Sequence, residues 1–466
     1  MYVKRKDSLM KQQIPVKIGE KYTIIINSLS HNAEGIGRYD GFTIFVPQSI
    51  PGDELEVEII STKKNYARAL ICKIIKPSPQ RIKAKCPVAE NCGGCLLQHL
   101  SYQNQLLAKQ KNVTETLQRV GGLNEVKVAP VMAMKSPWFY RNKASFPVAG
   151  QTGNITMGFY QNRSHNIINI KNCAIQHPLI NTAMPIIKKH INELKIQPYN
   201  EINHTGVIRH IVTRVASSNN EMLIVIVVTK DIGEALRQLA TKISQEMSEI
   251  KGIVLNINNK CTNVIMADQE KQLYGQSYIT DKLLGKQFII SAKSFYQVNV
   301  EQTPVLYQQA INKANLQGNE IVVDAYCGTG TIGLILAEKA QKIIGVEIVP
   351  AAINDAKKNA KLNNITNAEF HVGKAEKRIP ELVKKGLKPN VVVVDPPRKG
   401  CDEALLQTIS EAEVERIVYV SCNPATLARD LKFLVEQGYK VEGEVGVVDM
   451  FPHSGHVESV VGLVRD

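Results

Sequence analysis

The chain lacks any long apolar run. No segment approaches the roughly 20 residues that cross a bilayer, and the opening stretch, MYVKRKDSLMKQQIPVKIGE, is charged where a secretory leader would be apolar. A soluble, cytoplasmic protein with no membrane association is expected. Acidic residues are in deficit: 43 Asp and Glu face 57 Lys and Arg, for a net charge of +14 and a pI near 9.2. The resulting surface field attracts polyanions, of which RNA, DNA and an anionic membrane all fit on charge alone. No internal repeat or low-complexity tract stands out. A disulfide framework is missing too, since nine cysteines is an odd number and the expected compartment is reducing; clustered cysteines then point to metal binding or catalysis.

What is present is enough chain for two to four domains, because single cores stop growing well below 466 residues. From Lys21 to Lys76 short β-branched runs (YTIIINSL, EGIGRYDGFTIFVP, PGDELEVEII, ARALICKIIK) are broken by Gly-rich and Pro-Gly turns. They predict a small antiparallel barrel. Between Lys63 and Lys85 stand eight basic residues and no acidic one, which beside such a barrel suggests a track for a phosphate backbone rather than a merely solvated face. A cysteine-rich segment follows, then SYQNQLLAKQKNVTETLQRVGG, whose spacing and closing Gly-Gly predict a helix with its stop. Residues 126–290 mix strand-like runs (NITMGFY, MLIVIVVT, GIVLNIN) with helical stretches near 180–195 and 231–249, an α+β middle domain. From Asn319 apolar strands alternate with helical segments, the pattern of βαβ units and a parallel sheet covered on both faces. Ligands on such sheets bind beyond the carboxyl ends of the strands.

The unusual residues lie at those ends. The first strand runs into Asp324-Ala-Tyr326-Cys327-Gly328-Thr-Gly330-Thr-Ile-Gly333, where glycines let a ligand approach the backbone and Glu347, closing the next strand, can hold a ribose diol. GTGTIG also satisfies a dinucleotide pattern. Asp324 before the glycines favours S-adenosylmethionine, because a carboxylate suits the ammonium of a methionine moiety and would repel a pyrophosphate. Further on, Asp395-Pro396-Pro397-Arg398-Lys399-Gly400 puts a carboxylate and cations beside a rigid turn, and Ser421-Cys422-Asn423-Pro424-Ala425-Thr426 leaves Cys422 where an apolar strand stops. A free cysteine is commonly a small buried hydrophobe; over a cofactor site a nucleophile is the better reading. A uracil ring needs one, since its C5 is too electron-poor to attack a methyl sulfonium until a thiolate adds at C6. A base must then take the C5 proton, and Phe451-Pro452-His453-Ser-Gly-His456-Val457-Glu458 offers Glu458 or either histidine. Cys86, Cys92 and Cys95 form a soft-ligand cluster with a Gly-Gly bend; zinc would accept them, and the five-residue gap favours iron-sulfur. Cys72, Cys261 and Cys401 have no partners at useful spacing.

Taken together, EGIGRYDG…VPQSIPGDELEVEI resembles a TRAM domain, an RNA-binding oligonucleotide-fold barrel. CPVAENCGGCLLQH resembles the cluster segment of the bacterial 23S rRNA (uracil-5-)-methyltransferases, and DAYCGTGTIG, DPPRKG, SCNPATLARD and HVESV resemble their catalytic domain. The resemblance implies a TRAM barrel over 1–76, a central α+β domain over 77–96 and 126–290, and a Rossmann-like S-adenosylmethionine-dependent methyltransferase domain over 97–125 and 291–466. It implies a [4Fe-4S] cluster on Cys86, Cys92, Cys95 and Cys173, Cys422 as nucleophile and Glu458 as base. Donor contacts are implied from Gln297, Tyr326, Glu347 and Asp395, beside the loop residues Asp324, Gly328 and Gly330. Thr331 replaces an Asn of some relatives, and Lys374 stands where many donor-binding folds are acidic, which leaves the adenine contact unassigned. The expected activity is methylation of uridine C5 in 23S rRNA by a monomer with no obligate protein partner. The alternative target is the T-loop uridine of tRNA, although the familiar bacterial tRNA enzymes lack the barrel and the cysteines. A nicotinamide oxidoreductase would leave SCNPAT and DPPRKG without a role, and a non-catalytic RNA-binding protein with a redox cluster would explain only the charge and the cysteines.

Overall fold

The computed structural model describes residues 14–465. Five strands, β1 (Lys21–Leu29), β2 (Gly35–Tyr39), β3 (Phe42–Val46), β4 (Glu54–Thr62) and β5 (Tyr66–Lys76), close into a barrel in the order β1-β2-β3-β5-β4. Leu55, Val57 and Ile59 of β4 are fully buried in its interior while their neighbours are partly exposed, the period of two that strands require. Asp40 and Gly41, at φ 46° and 77°, make the two-residue turn between β2 and β3. The barrel is not wholly antiparallel, as the sequence suggests it should be: β3 and β5 pair in parallel. An odd number of strands around a closed ring cannot alternate direction throughout, so one parallel pair is forced. The basic run is also partly consumed by structure, because Arg68 pairs with Glu34 at 2.5 Å and Arg81 with the buried Asp53 at 2.5 Å. Lys63, Lys64, Lys73, Lys76 and Lys83 stay exposed.

Helix α1 (Tyr102–Gly121) ends at Gly122, whose left-handed φ of 68° lets its N–H return to the carbonyl of Gln118. Its buried Val113 and Leu117 pack with Leu427 and Leu431 near the C-terminus, so the helix joins the last domain and not the middle one it precedes. The middle domain is a seven-stranded sheet of β6 (Lys143–Gln151), β7 (Asn154–Tyr160), β8 (Ile167–Asn169), β9 (Ile208–Ala216), β10 (Glu221–Val228), β11 (Ile250–Ile257) and β12 (Gln269–Gly275), in the order β12-β11-β10-β9-β6-β7-β8. Along β10, Met222, Ile224 and Ile226 pack with helices α2 (Pro178–Glu193) and α3 (Glu234–Glu246). Leu223, Val225 and Val227 face the other way, into a core shared with the hairpin β13 (Tyr278–Leu283) and β14 (Lys286–Ser291) and with the C-terminal domain. Burial on both faces explains why β10 reads as an unbroken apolar run.

The C-terminal domain contains α4 (Thr303–Ala314), β15 (Ile321–Ala325), α5 (Thr331–Leu336), β16 (Lys342–Glu347), α6 (Pro350–Leu362), β17 (Ala368–Val372), α7 (Ala375–Lys384), β18 (Val391–Val394), α8 (Glu403–Glu411), β19 (Arg416–Ser421), α9 (Pro424–Glu436), β20 (Tyr439–Val448) and β21 (Glu458–Arg465). The sheet order is β17-β16-β15-β18-β19-β21-β20, with β15 to β19 parallel and β21 inserted antiparallel beside β19. The direction of β21 matters for function. A parallel strand would start at the far edge of the sheet, whereas this one starts where β19 ends.

Candidate active site and cysteine cavity

The carboxyl ends of β15, β16, β18 and β19 open onto a cavity of about 940 Å³ that Gln297, Asp324, Tyr326, Gly328, Glu347 and Asp395 line together with Cys422 and Glu458. The ladder registers bring them there. Ala325 pairs with Val346 and with Val394, so Tyr326, Glu347 and Asp395, each one residue on, share one edge. Ser421 pairs with Ser459 in the antiparallel ladder between β19 and β21, so Cys422 and Glu458 stand opposite each other. Residues 36 apart in sequence thus become neighbours through sheet register alone.

The first loop is held by its own backbone. Tyr326 sits at φ 67°, an uncommon conformation for a bulky residue. Gly330 is at φ 80° as the N-cap of α5, and a Cβ there would press on Phe370 at 3.1 Å. Glu347 accepts from the N–H of Gly328 at 3.3 Å and of Val349 at 2.8 Å. Asp324 is buried, and one oxygen accepts from the N–H of Gly333 at 2.8 Å; it pins the loop to the start of α5 as well as facing the cavity. The other two motifs are tied to each other. Asn423 caps α9 by accepting from Ala425 N–H at 3.1 Å, Pro424 opens the helix, and the Asn423 amide donates to the carbonyl of Arg398 at 2.9 Å.

The electrostatics are those of a crowded acidic pocket. Burial pushes Asp324 up to about 7, helped by Asp395 and Glu347, and burial alone pushes Asp395 up to about 7. Glu458 is raised well above the usual carboxylate range by burial first and Asp395 second, against the pull of Arg398. The Cys422 thiol rises to about 11 through burial and the carboxyls of Glu458 and Asp395, again opposed by Arg398. A cavity walled by carboxyls of this kind suits a cationic guest.

The structure separates the two histidines that the sequence leaves open as bases. His453 does not line the cavity: it stacks on Trp138 with ring centroids 3.9 Å apart. Its Nε2 lies 3.0 Å from the Pro137 carbonyl, which can only accept, and its Nδ1 lies 3.2 Å from the Gln105 amide nitrogen, so both ring nitrogens are spoken for. His456 does line the cavity, but its Nε2 is 3.3 Å from an Arg398 nitrogen that can only donate. Burial holds both rings down near 4. Other cavity residues escaped the sequence. Tyr307 of α4 meets Thr331 oxygen to oxygen at 3.0 Å, and no motif marks it. Arg141 has no signal either, and Phe295, exposed at the rim, was signalled only by standing beside Gln297 in SFYQVN. Lys374 is at the wall beside Gly373.

Cys86, Cys92, Cys95 and Cys173 line a second cavity of about 400 Å³, together with Arg141 and Lys143. Burial pushes Cys95 up to about 12, with Cys173, Cys92 and Cys86 adding to it, so the four sulfurs are within electrostatic reach. Among the described residues no group of three or more His, Cys, Asp or Glu is spaced to hold a single metal ion. Gly94 and Arg141 belong to the walls of both cavities. Cys72 and Cys261 are exposed, while Cys327 and Cys401 are buried away from these four.

A parallel sheet of this order, closed by an antiparallel strand and carrying an acidic, glycine-edged cavity at its carboxyl end, defines an S-adenosylmethionine-dependent methyltransferase. Residues 101–466 match the family described as tRNA (Uracil-5-)-methyltransferase, and residues 15–71 match the TRAM domain. The chain belongs to this family of RNA (uracil-5-)-methyltransferases, and its activity is the transfer of a methyl group to C5 of uracil in RNA. It is 48% identical over 455 residues to a Bacillus cereus protein described as an uncharacterized RNA methyltransferase, covering 98% of this chain and 99% of that one. A Clostridium acetobutylicum protein of the same description is 46% identical over 458 residues, with 98% and 99% covered. Among solved structures, the Pyrococcus abyssi tRNA (uracil-54, C5)-methyltransferase in complex with S-adenosyl-L-homocysteine matches with TM-score 0.75 and 28% identity, covering 95% of this chain and all of that one. No helix among the described residues is long and apolar enough to cross a membrane.

Proposed function

We propose that the protein methylates C5 of a uridine in 23S rRNA through a covalent bond between Cys422 and C6 of the ring. The observation that carries this reading is the register that sets Cys422 opposite Glu458 at the edge of the carboxyl-walled cavity. Cys422 first gives its thiol proton to solvent; addition of the thiolate at C6 then moves the C5–C6 π pair toward C5 and O4, and C5 becomes the nucleophile. S-adenosylmethionine, when bound, supplies an electrophilic methyl on a sulfonium. Once C5 carries the methyl group, Glu458 takes the C5 proton, the pair returns to the ring and the Cys422 thiolate leaves. A carboxyl raised by burial suits that task, being a stronger base than one in water. Gln297, Asp324, Tyr326, Glu347 and Asp395 are assigned to the donor, with Gly328 and Gly330 shaping the loop beneath it. To reach Cys422 the uridine must leave its stack.

Cys86, Cys92, Cys95 and Cys173 would hold a [4Fe-4S] cluster, which would supply a covalent tie across the domain. Four thiols around one cavity, with the Arg141 guanidinium beside them to offset thiolate charge, support a metal centre there, and the five-residue gap from Cys86 to Cys92 favours iron-sulfur over zinc. The rRNA target rests on the barrel and the cysteines occurring in one chain. A second reading, the T-loop uridine of tRNA, is favoured by the likeness to the Pyrococcus abyssi enzyme over 95% of this chain.

One experiment tests both parts. Glu458→Gln, incubated with donor and either 23S rRNA fragments or tRNA transcripts, is expected to leave a protein–rRNA adduct that migrates slowly on a denaturing gel, while Cys422→Ala binds RNA and turns nothing over. An adduct with tRNA alone would transfer the assignment to the second reading. Full turnover by either variant would refute the role given to that residue.

A further inference from the structure

The loop 449–457 between β20 and β21, which delivers Glu458 to the cavity, is held by the cysteine segment, by α1 and by the barrel. From the cysteine segment, the N–H groups of Leu96 and Leu97 both donate to the carbonyl of His453, at 2.8 and 3.0 Å, one and two residues after Cys95. From α1, Gln105 accepts the N–H of His453 at 2.9 Å, and the buried Lys109 binds Asp449 at 2.6 Å and the Phe451 carbonyl at 3.0 Å. From the barrel, the strand-connecting turn 31–33 lies so close to Gly455 that a Cβ there would fall on the carbonyl oxygen of His31 and 2.8 Å from the amide nitrogen of Ala33. Both obstacles are backbone, which cannot swing aside as a side chain can. Gly455 is not among the residues at positive φ, so a glycine is required there by the barrel's proximity and not by the loop's own geometry. His453 is at φ 64°, turning its carbonyl toward the cysteine segment while its ring is fixed on Trp138.

We propose that Gly455 and His453 are positioning residues: through them the barrel and the cysteine segment set where loop 449–457 lies, and so complete the active site only when those parts are docked. The loop is an assembly point, and contacts made outside the catalytic domain decide the place of the residue opposite Cys422. The inference rests on the reading of Glu458 as the base.

The test is Gly455→Ala in the full chain. The added methyl wedges the loop off the turn 31–33 without straining it locally, so the expected result is a fall of at least tenfold in kcat for RNA methylation. KM for S-adenosylmethionine and the affinity for S-adenosylhomocysteine should stay within about threefold, because the walls given to the donor stand at the ends of β15, β16 and β18 and not on this loop. Hydrogen exchange should quicken at the amides of Leu96 and Leu97, a readout that loss of catalysis alone would not move. Should that variant not fold, His453→Asn keeps the left-handed backbone, which Asn tolerates, and removes the ring from Trp138; the same split between kcat and KM is expected. Wild-type kcat with unchanged exchange in a folded variant would overturn the inference. Failure of the underlying reading looks different, since Glu458→Gln would then turn over normally whatever Gly455→Ala does.

Discussion

Asp324 and Asp395 both have their carboxyls lifted to about 7, so their charge is unsettled near neutral pH. Each is an acid raised by the fold, which means that it loses its proton only as pH climbs through that value and regains it as pH falls. A neutral carboxyl no longer attracts a cation. Affinity for the sulfonium donor should therefore fall as pH is lowered from 8 to 6, and donor binding near pH 7 should release protons. Titration calorimetry in two buffers of different ionisation enthalpy measures both, and an affinity flat over that range with no proton release would contradict the assignment of these carboxyls to the donor. At this scale the motifs made Cys422, Asp395 and Glu347 legible, because each interrupts an apolar strand at its end. The choice among His453, His456 and Glu458 was not legible, since it turns on Trp138, Gln105 and Arg398, partners 58 to 348 residues away in the chain and visible only after folding. Tyr307 carries no sequence signal, because an aromatic on an amphipathic helix looks like any core residue until its hydroxyl is found beside Thr331.

Among the elements, α1 shows how position in sequence and position in space part company. It follows the cysteine segment, yet its apolar stripe is buried on α9. Leu117 is fully buried there, and Leu117→Ala should destabilise the protein by about 2–5 kcal/mol, the cost of removing a side chain from a packed core and leaving a cavity. Urea unfolding followed by circular dichroism measures it; a loss below about 1 kcal/mol would mean that α1 only leans on the domain. The helix itself and its Gly-Gly stop could be read from spacing, as could the βαβ alternation as far as α9. The final pair β20 and β21 could not, because its function depends on direction: nothing in ESVVGLVR says that the strand enters antiparallel beside β19, and that entry alone sets Glu458 against Cys422. The barrel strands were legible from their turns, and their parallel closure follows only from counting five of them in a ring.

Over the whole molecule, the cysteine cavity joins Cys86, Cys92 and Cys95, next to the barrel, to Cys173 in the middle domain, a span tied elsewhere by the isolated bridge between Cys92 and Gln161 at the end of β7. If a cluster bridges it, anaerobically purified protein should be brown with about four irons per chain, and Cys173→Ala should lose the colour and lower the melting temperature by several degrees. A colourless protein with one zinc per chain would reassign the site.

The core that runs unbroken from the middle sheet through β13 and β14 into the C-terminal domain has one more result. Val225 and Val227 on one side and Leu306 and Val322 on the other belong to a single buried cluster, so these two layers cannot swing apart without wetting it. Closing those two layers around a folded RNA is therefore not available, and the expectation is that loops that unstack cheaply are modified before rigid helices, the base being brought out by the distortion of the nucleic acid.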